Sequence, residues 1–355
     1  MTIERQIMFW VMALVMLVAA LWLLSAILLP FVAGVGLAYL LNPLARRLER
    51  LGIHRPVAGL VIIILVLAVL IVLSMLLAPI LGGQLSAFID NLPGYVTRLQ
   101  SLIADPSHAW LAKILGERLP DAGRSVGELM AQGADWLASF LRSLWSGGKA
   151  LVSLFSLLVV TPVVAFYLLC DWDRMIAAID GWVPRQQRDT VRTLAREIDV
   201  AIAGFVRGQT SICLILGTFY AVALALTGLN FGFLIGFVAG VLSFIPYVGS
   251  LTGFVVAIGV AITQFWPNWT PIIVIAGIFF VGQTLEGYVL APKLVGTRIG
   301  LHPVWLMFAL FAFGYLFGFV GLLVAVPLAA AIGVLVRFAL RRYLASPLYT
   351  GGEMS

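Results

Sequence analysis

Residues 231–265 read FGFLIGFVAGVLSFIPYVGSLTGFVVAIGVAITQF, a run without Asp, Glu, Lys or Arg. The run is interrupted at its centre by Pro246-Tyr247-Val248-Gly249, which leaves two arms of about 15 residues, or roughly 22 Å each as helices. A full crossing of the hydrocarbon core takes about 20 residues. We therefore expect a helical hairpin that dips into the membrane from outside and turns at Pro246 to Gly249. Two complete crossings are the alternative, and they would leave the later segments on the same sides of the membrane.

The whole chain shares this apolar character. Of its 355 residues 62% are hydrophobic and 11% are charged, whereas roughly a quarter of a soluble protein is charged. Because backbone groups in lipid must be satisfied internally, the long apolar runs predict helices. The expected fold is an all-α integral membrane protein with about eight transmembrane helices, including two helical hairpins, and an amphipathic helical excursion. The net charge of +6 lies in short loops beside apolar runs, which indicates positive-inside topology rather than nucleic-acid binding.

The N-terminal half predicts the first crossings. The run from Ile7 to Leu41 is too long for one upright crossing and for a cleavable signal, so we expect a retained segment that Pro30 kinks or divides. A basic loop follows, from Arg46 to Arg55, and the positive-inside rule places it in the cytoplasm. Val57 to Leu81 then crosses outward.

The middle of the chain alternates polar and apolar segments. Gln84 to Gly148 is polar, with apolar residues at helical spacing, and is predicted to lie outside as amphipathic helices. Ala150 to Cys170 returns the chain to the cytoplasm, where Asp171 to Arg207 forms a surface helical segment beginning near Pro184. Thr210 to Thr227 crosses outward again.

The C-terminal part predicts an inward helix from Pro271 to Ala291 and a third long run from Pro303 to Val336. Gly314, Gly318 and Gly321 interrupt this run, so it is expected to fold as a second hairpin, entered from the cytoplasm. The predicted organisation is: 1–83, N-terminal transmembrane segments; 84–148, extracytoplasmic amphipathic region; 149–170, transmembrane helix; 171–207, cytoplasmic helical segment; 208–270 and 271–342, two helix-plus-hairpin repeats; 343–355, cytoplasmic tail.

Three short patterns occur twice in the same order. Gly208-Gln209-Thr210 recurs as Gly282-Gln283-Thr284, Gly228-Leu229 as Gly300-Leu301, and Gly240 with Pro246 as Gly321 with Pro327. With the predicted sides, the two units form an inverted-topology repeat, an arrangement that transporters use to expose a midplane site alternately to each side. Glycines that only let helices pack closely are the other interpretation.

Glu286 is the only formally charged residue between Arg207 and Lys293. A carboxylate inside a span is costly and often marks an ion or proton path. Lys293 lies seven residues later, on the same face of an α-helix, so a structural ion pair with Lys293 is the alternative.

Other candidate residues are polar groups and helix breaks near span ends. Expected to contact solute or ion are Gln209, Gln283, Thr284, Glu286, Asn230, Pro246, Tyr247, Gly249, Gly314, Gly318 and Gly321; anchoring or gating residues are Arg207, Pro292, Lys293, His302, Pro303 and Pro327. Each also has a structural interpretation, as interhelical contact or positive-inside anchoring. No catalytic motif or nucleotide-binding loop is found, so we expect no enzyme, no cofactor and no metal. Cys170 and Cys213 lack metal-ligand spacing and are interpreted as packing residues.

The chain resembles the autoinducer-2 exporter family of prokaryotic membrane proteins. The resembling segments run in order along nearly the whole chain: Pro30-Phe31, Ala38-Tyr39-Leu40-Leu41-Asn42-Pro43, Thr161-Pro162, Phe166-Tyr167-Leu168-Leu169, Asp171-Trp172-Asp173-Arg174, Arg207-Gly208-Gln209, Ile245-Pro246-Tyr247-Val248-Gly249, Pro292-Lys293-Leu294-Val295-Gly296 and Leu301-His302-Pro303-Val304-Trp305.

This resemblance implies about eight transmembrane segments, a homo-oligomer such as a pentamer, and export of a small polar solute from the bacterial inner membrane. Sodium/proton antiporters share the same pattern, and an oligomeric channel or scaffold without coupled transport remains a third possibility. Both termini are expected in the cytoplasm. The expected site is formed by the two hairpin tips with Gln209, Gln283 and Glu286.

Overall fold

The computed structural model describes residues 3–104, 148–296, 302–346 and 349, and within these ranges the regular elements are helices without strands. The predicted all-α fold is confirmed. In chain order the elements are α1 (Ile3–Leu23), α2 (Ser25–Arg50), α3 (Arg55–Ala104), α4 (Gly148–Trp182), a 3-10 turn (Arg185–Gln187), α5 (Arg188–Leu226), α6 (Gly232–Leu242), α7 (Val248–Phe265), α8 (Trp269–Leu285), the π-helix π1 (Glu286–Val295) and α9 (Pro303–Leu344).

Six helical stretches among the described residues are long and apolar enough to cross a membrane. This finding confirms a multi-pass membrane protein, while the sides of the membrane stay a prediction. The stretches are Ile27–Arg50, Arg55–Leu99, Arg185–Leu226, Val248–Phe265, Trp269–Val295 and Pro303–Leu344.

The chain divides into two compact units. Unit 1 comprises Met1–Leu67, Phe155–Gln209 and Ala291–Ser355, and unit 2 comprises Ala68–Leu154 and Thr210–Leu290. Helices α3, α4 and α5 and the π-helix each begin in one unit and end in the other.

The first predicted hairpin is present in unit 2, and we call it the Pro246 hairpin (232–265). Its arms α6 and α7 are 11 and 18 residues long, and Tyr247 adopts a left-handed backbone conformation (φ 68°) at the end of the tip. The arms touch closely, because a Cβ at Gly249 would overlap the backbone of Ser243 and Ala239. The short arms and the tip thus agree with the hairpin expected from the sequence.

The second predicted hairpin is present in unit 1, and we call it the Gly318 hairpin (303–344). Its two arms form the single assigned helix α9, which is broken at Gly318 by non-helical angles (φ 60°, ψ −137°). Gly321 lies against the carbonyl of Phe313, and Gly314 lies against Leu322. These contacts between residues eight positions apart show that the chain reverses at Gly318.

The N-terminal apolar run is divided at Leu24, between α1 and α2, and not at Pro30 as expected. Pro30 lies inside α2, where its carbonyl accepts a hydrogen bond from Thr161 Oγ1 at 3.2 Å. A proline removes the hydrogen bond to the preceding turn and crowds it, so the distortion falls on the N-terminal side of the ring. The break lies on that side.

The predicted boundary near residue 84 is not a helix end. Helix α3 continues from Arg55 through Ala104 with Pro79 and Pro93 inside it, because α-helical bonds can tolerate isolated prolines where the helix kinks. Residues 105–147, which hold most of the predicted outer excursion, lie outside the described residues.

Arg55 ties three helices of unit 1 together at the start of α3. Its Nε donates to the carbonyl of Leu169 at 2.8 Å, and its guanidinium pairs with Asp173 of α4 and, at 3.5 Å, with Glu49 of α2. The Arg55 side chain is only 16% exposed, so these pairs are shielded better than surface ion pairs. Part of the predicted basic loop therefore acts as a helix anchor.

Candidate functional site

The helix that carries Glu286 changes its geometry at that residue. Helix α8 ends at Leu285, and Glu286–Val295 form a π-helix, a rare form that is frequent at functional sites. Its wider turn means that a spacing of seven residues no longer returns to the same face. The described ion pairs accordingly do not include one between Glu286 and Lys293, so the alternative interpretation, a structural ion pair with Lys293, is not found in the structure.

Glu286 has an unsatisfied oxygen. Its Oε2 is buried and has no hydrogen-bond partner among the described residues, although Glu286 lies in the apolar stretch Trp269–Val295. Leaving a buried polar group unpaired costs about 1–3 kcal/mol, and more for a charged group. Such an exception calls for a functional explanation.

Tyr220 of α5 presents a second unsatisfied oxygen to the same helix. The side chain is fully buried, and its ring stacks on Phe279 with centroids 4.8 Å apart and planes 22° apart. The hydroxyl and ring lie directly over Gly282, where any side chain would overlap them. The hydroxyl has no hydrogen-bond partner in the described part of the chain.

The residues that carry these two oxygens meet the same face at the end of α8. Gly282 and Glu286 are four residues apart, which places them on one face at the end of α8. Unit 2 thus contains a polar pair, Tyr220 and Glu286, surrounded by apolar and aromatic side chains.

A cavity of about 720 Å³ lies between α7 and α8 in unit 2. Its polar lining consists of Tyr247 and Ser250 from the Pro246 hairpin and Gln283 from α8. The remaining lining residues are apolar: Leu251, Phe254, Ile273, Ala276, Gly277, Phe279 and Phe280. An apolar cavity of this size with a few convergent polar groups is the usual form of a small-molecule site.

The other predicted site residues of unit 2 have structural contacts. The backbone N–H of Asn230 donates to Gln264 Oε1 at 2.8 Å, and its side chain donates to the Tyr95 hydroxyl at 3.4 Å. The Thr284 hydroxyl donates to the carbonyl of Phe280 within its own helix, at 2.8 Å. Asn230 therefore closes the base of the Pro246 hairpin, while Pro246 and Gly249 shape its tip.

The predicted residues in the middle of α5, Arg207 and Gln209, lie in unit 1. Arg207 Nε donates to the carbonyl of Tyr39 at 3.2 Å, and Gln209 is buried with 5% exposure. Between them, Gly208 packs against the backbone of Leu294. Arg207 thus links α5 to α2, a contact consistent with an anchoring role.

The predicted residues around the Gly318 hairpin also lie in unit 1. His302 caps α9, since its Nδ1 accepts from the N–H of Val304 at 3.3 Å, and Pro303 occupies the first turn, where a missing N–H costs nothing. Gly314, Gly318 and Gly321 make the turn itself. Pro292 and Lys293 are exposed in π1, and Pro327 lies inside α9.

The structure brings only part of the predicted site together. Tyr247 and Gln283 line one cavity, and Glu286 follows Gln283 by almost one turn. Gln209 and the glycines of the Gly318 hairpin belong to the other compact unit. The meeting of the two hairpin tips therefore stays a prediction.

Two residues of this site were not predicted from the sequence. Ser250 follows the recognised tip residue Gly249 directly, so extending the tip by one residue would have included it. Tyr220 lies twelve residues after Gly208, the same offset that separates Leu294 from Gly282. An alignment of the two Gly-Gln-Thr copies would have indicated Tyr220, because it is a polar residue where the other copy has the apolar Leu294.

Comparisons with known proteins give a consistent result. The family model described as AI-2E family transporter matches residues 11–341. YrrI of Bacillus subtilis, named as a candidate transport protein, is 28% identical over 92% of this chain and 90% of its own. PerM of Escherichia coli K12, named as a candidate permease, is 27% identical over 91% of each chain. TqsA of Escherichia coli K12, named an AI-2 transport protein, is 26% identical over 93% of this chain and 90% of its own.

Proposed function

Because this chain belongs to the AI-2E family of transporters, we propose that it is a secondary transporter that exports a small polar solute such as an autoinducer-2-like signalling molecule. The transport is gradient-driven or facilitated. The protein lies in the bacterial inner membrane as a homo-oligomer, such as a pentamer, with both termini in the cytoplasm. No part of this assignment requires catalysis.

The observation that carries this proposal is the cavity shared by the Pro246 hairpin and α8. Tyr247, Ser250 and Gln283 supply hydroxyl and amide groups that can bind a neutral polar solute from both sides of the cavity. The apolar lining residues Leu251, Ile273 and Phe280 are exposed, so the cavity is open and a solute can enter it. The name of TqsA supports a signalling molecule of this class as the solute.

A sodium/proton antiporter is the second candidate. The unsatisfied carboxylate oxygen of Glu286 favours it, because a buried acid in a span is the group expected to exchange a proton or cation. Solute export and ion exchange share the same helix in this proposal, so Glu286 would couple the two.

Reconstitution into liposomes tests the function directly. Vesicles holding the purified protein are assayed with autoinducer-2-like sugars, sodium and protons, with and without imposed gradients. Saturable flux of one of these species is the expected result. Unsaturable conductance or no flux of any of them would favour a pore or scaffold and contradict the proposal.

A matched pair of variants tests the cavity. Ser250→Ala removes a hydroxyl from the cavity lining, while Thr252→Val removes one whose proton is donated to the Val248 carbonyl at 2.6 Å in the same helix. We expect the half-saturating solute concentration to rise about tenfold in Ser250→Ala and in Gln283→Leu, since one lost hydrogen bond is worth about 1.5 kcal/mol. Thr252→Val should retain the value of the unmodified protein. Equal values in all variants would place the solute elsewhere.

Cysteine labelling in intact cells tests the sides of the membrane. Single cysteines introduced between Arg46 and Arg55 should resist an impermeant reagent, and those between residues 84 and 148 should react. The reverse labelling would overturn the proposed orientation while leaving the cavity assignment intact.

A further inference from the structure

Two buried oxygens in unit 2 lack partners among the described residues, and the residues that carry them meet the Gly282 face at the end of α8. Tyr220 OH and Glu286 Oε2 both have no hydrogen-bond partner among the described residues. The tyrosine ring is fixed by stacking on Phe279 and by contact with Gly282, so the hydroxyl cannot turn away to another group. Glu286 is one turn further along and has a flexible side chain.

The helix contact at Gly282 has an equivalent at Gly208, but the equivalent contact lacks the polar groups. In unit 2, Gly282 packs against Tyr220, which lies twelve residues after Gly208. In unit 1, Gly208 packs against Leu294, which lies twelve residues after Gly282. The glycine of each Gly-Gln-Thr copy therefore contacts the residue that lies twelve positions after the glycine of the other copy.

Each polar residue of the pair corresponds to an apolar residue at the equivalent position of the other copy. Tyr220 corresponds to Leu294, and Glu286, four residues after Gly282, corresponds to Ile212. Apolar residues such as Leu and Ile are sufficient for packing at these positions, as the contact between Leu294 and Gly208 in unit 1 shows. The hydroxyl and the carboxylate are thus additions to a contact that does not need them, at a cost in desolvation.

We propose that Tyr220 is a positioning residue for Glu286, and that the two form a proton-exchanging pair in which the Tyr220 hydroxyl donates a hydrogen bond to the ionised carboxylate. Protonation of Glu286 releases that bond, and the neutral acid then leaves the tyrosine. This inference rests on the proposed transport function and specifies its coupling ion. It adds Tyr220, which no sequence motif marked.

The chemistry of the surroundings favours a proton over a metal cation. Hard cations in proteins take six or more oxygen ligands, whereas among the described residues of unit 2 only Tyr220 and Glu286 have an unsatisfied side-chain oxygen. Cys213, seven residues before Tyr220, is the other titratable side chain in the unit 2 part of α5. Lys293, on the same helical segment, forms no described ion pair with Glu286 and is exposed. One proton satisfies this pair, while a sodium ion would lack ligands.

Carbodiimide labelling tests the pair without relying on flux. Dicyclohexylcarbodiimide partitions into lipid and reacts with protonated carboxylic acids, so the purified oligomer is treated across a pH series and the Glu286 peptide is quantified by mass spectrometry. The variants are Tyr220→Phe, which removes only the hydroxyl, Tyr220→Leu, which copies the residue at 294, and Glu286→Gln as the unlabelled reference. Tyr288→Phe is the control, since Tyr288 is 82% exposed in the same segment.

A hydrogen bond to the ionised form favours that form. We therefore expect the pH at which half of Glu286 is labelled to rise by about one unit in Tyr220→Phe and Tyr220→Leu, and to stay unchanged in Tyr288→Phe. Excess sodium chloride should not protect Glu286. An unchanged midpoint in Tyr220→Phe, absence of labelling at every pH, or protection by sodium would each overturn the pair.

The outcome separates this inference from the transport proposal. A shifted labelling midpoint in a protein that moves no solute or ion would keep the pair and reject the proposed function. Saturable flux with an unchanged midpoint would keep the function and reject the pair. Size-exclusion profiles of the oligomer show whether each variant is still assembled before labelling begins.

Discussion

The Pro246 hairpin and the Gly318 hairpin reverse the chain in different ways. The first uses a tip of five residues, 243–247, that ends with Tyr247 in a left-handed conformation. The second reverses at one glycine, Gly318, inside an assigned helix. In both, a glycine shortly after the turn (Gly249 or Gly321) lets the second arm touch the backbone of the first. The close approach is therefore shared, while the turn itself is not.

The two tips also differ in chemistry. Tyr247 and Ser250 give the Pro246 hairpin polar groups that line a cavity. Near Gly318 the one hydroxyl between residues 313 and 323 is that of Tyr315, whose side chain is 91% exposed. A mainly apolar tip offers few hydrogen bonds to a polar solute. We therefore expect the solute to contact the Pro246 hairpin, and we expect the Gly318 hairpin to have mainly a structural role.

The largest expected loss of stability comes from adding a methyl group where the two arms of either hairpin touch. Gly321→Ala would place Cβ on the carbonyl of Phe313, and Gly249→Ala would place it on the backbone of Ser243. Because backbone cannot move as a side chain can, each change should destabilise the protein by about 3 kcal/mol. Thermal unfolding of the detergent-solubilised protein, together with its abundance in the membrane, measures the effect.

Gly314→Ala is the matched control for these two variants. Its Cβ would meet the end of the Leu322 side chain, which can change rotamer, so a loss well below 1 kcal/mol is expected. Equal losses at Gly314 and Gly321 would contradict the backbone contact that defines the Gly318 hairpin.

A second prediction concerns the turn of the Gly318 hairpin. The angles of Gly318 are accessible only to glycine, so Gly318→Ala should cost about 2 kcal/mol in backbone strain although no atom lies near the added Cβ. Gly277→Ala in α8 also meets open space and is helical, so it should be neutral or slightly stabilising. The same thermal measurement compares them, and a neutral Gly318→Ala would show that the chain does not reverse there.

Both hairpins could be predicted from the sequence because each lies in an uncharged run that is too long for one span and is interrupted by proline or glycine. The interruption is a local property, so the residues near Pro246 and Gly318 indicate it directly. Backbone geometry is a sufficient reason for the three glycines of the second hairpin, Gly314, Gly318 and Gly321. Their expected contact with solute stays a prediction.

The relation of Glu286 to its neighbours could not be predicted in the same way. The Lys293 pairing assumed α-helical spacing, whereas the chain adopts a π-helix from Glu286 onward. Contact between Tyr220 and Gly282 depends on how two helices pack, which no local pattern specifies.

A third prediction uses the strained residue of the Pro246 hairpin. Tyr247 has positive φ without being glycine, a conformation that stores strain and is frequent at functional sites. Tyr247→Gly should raise the stability by up to about 1 kcal/mol and should lower solute flux, because it removes a cavity-lining hydroxyl. Thermal unfolding and liposome flux on one preparation measure both. A stabilised variant with full flux would remove Tyr247 from the solute site.

The smallest expected effect is at the entrance of each hairpin. His302 caps the Gly318 hairpin through Nδ1 and the N–H of Val304 at 3.3 Å, whereas Phe231 at the start of the Pro246 hairpin makes no side-chain cap and packs its ring against Phe88 and Tyr95. His302→Ala should therefore destabilise by about 0.5 kcal/mol through one lost cap.

His302→Asn distinguishes a cap from a titrating or gating histidine. Asparagine keeps an acceptor at the cap but has no charge change near neutral pH, so it should restore the stability lost in His302→Ala. If the histidine only caps the helix, flux through the asparagine variant will keep its pH dependence. Flux that loses its pH dependence in both variants would instead make His302 part of the transport mechanism, and the Gly318 hairpin would then be more than a structural element.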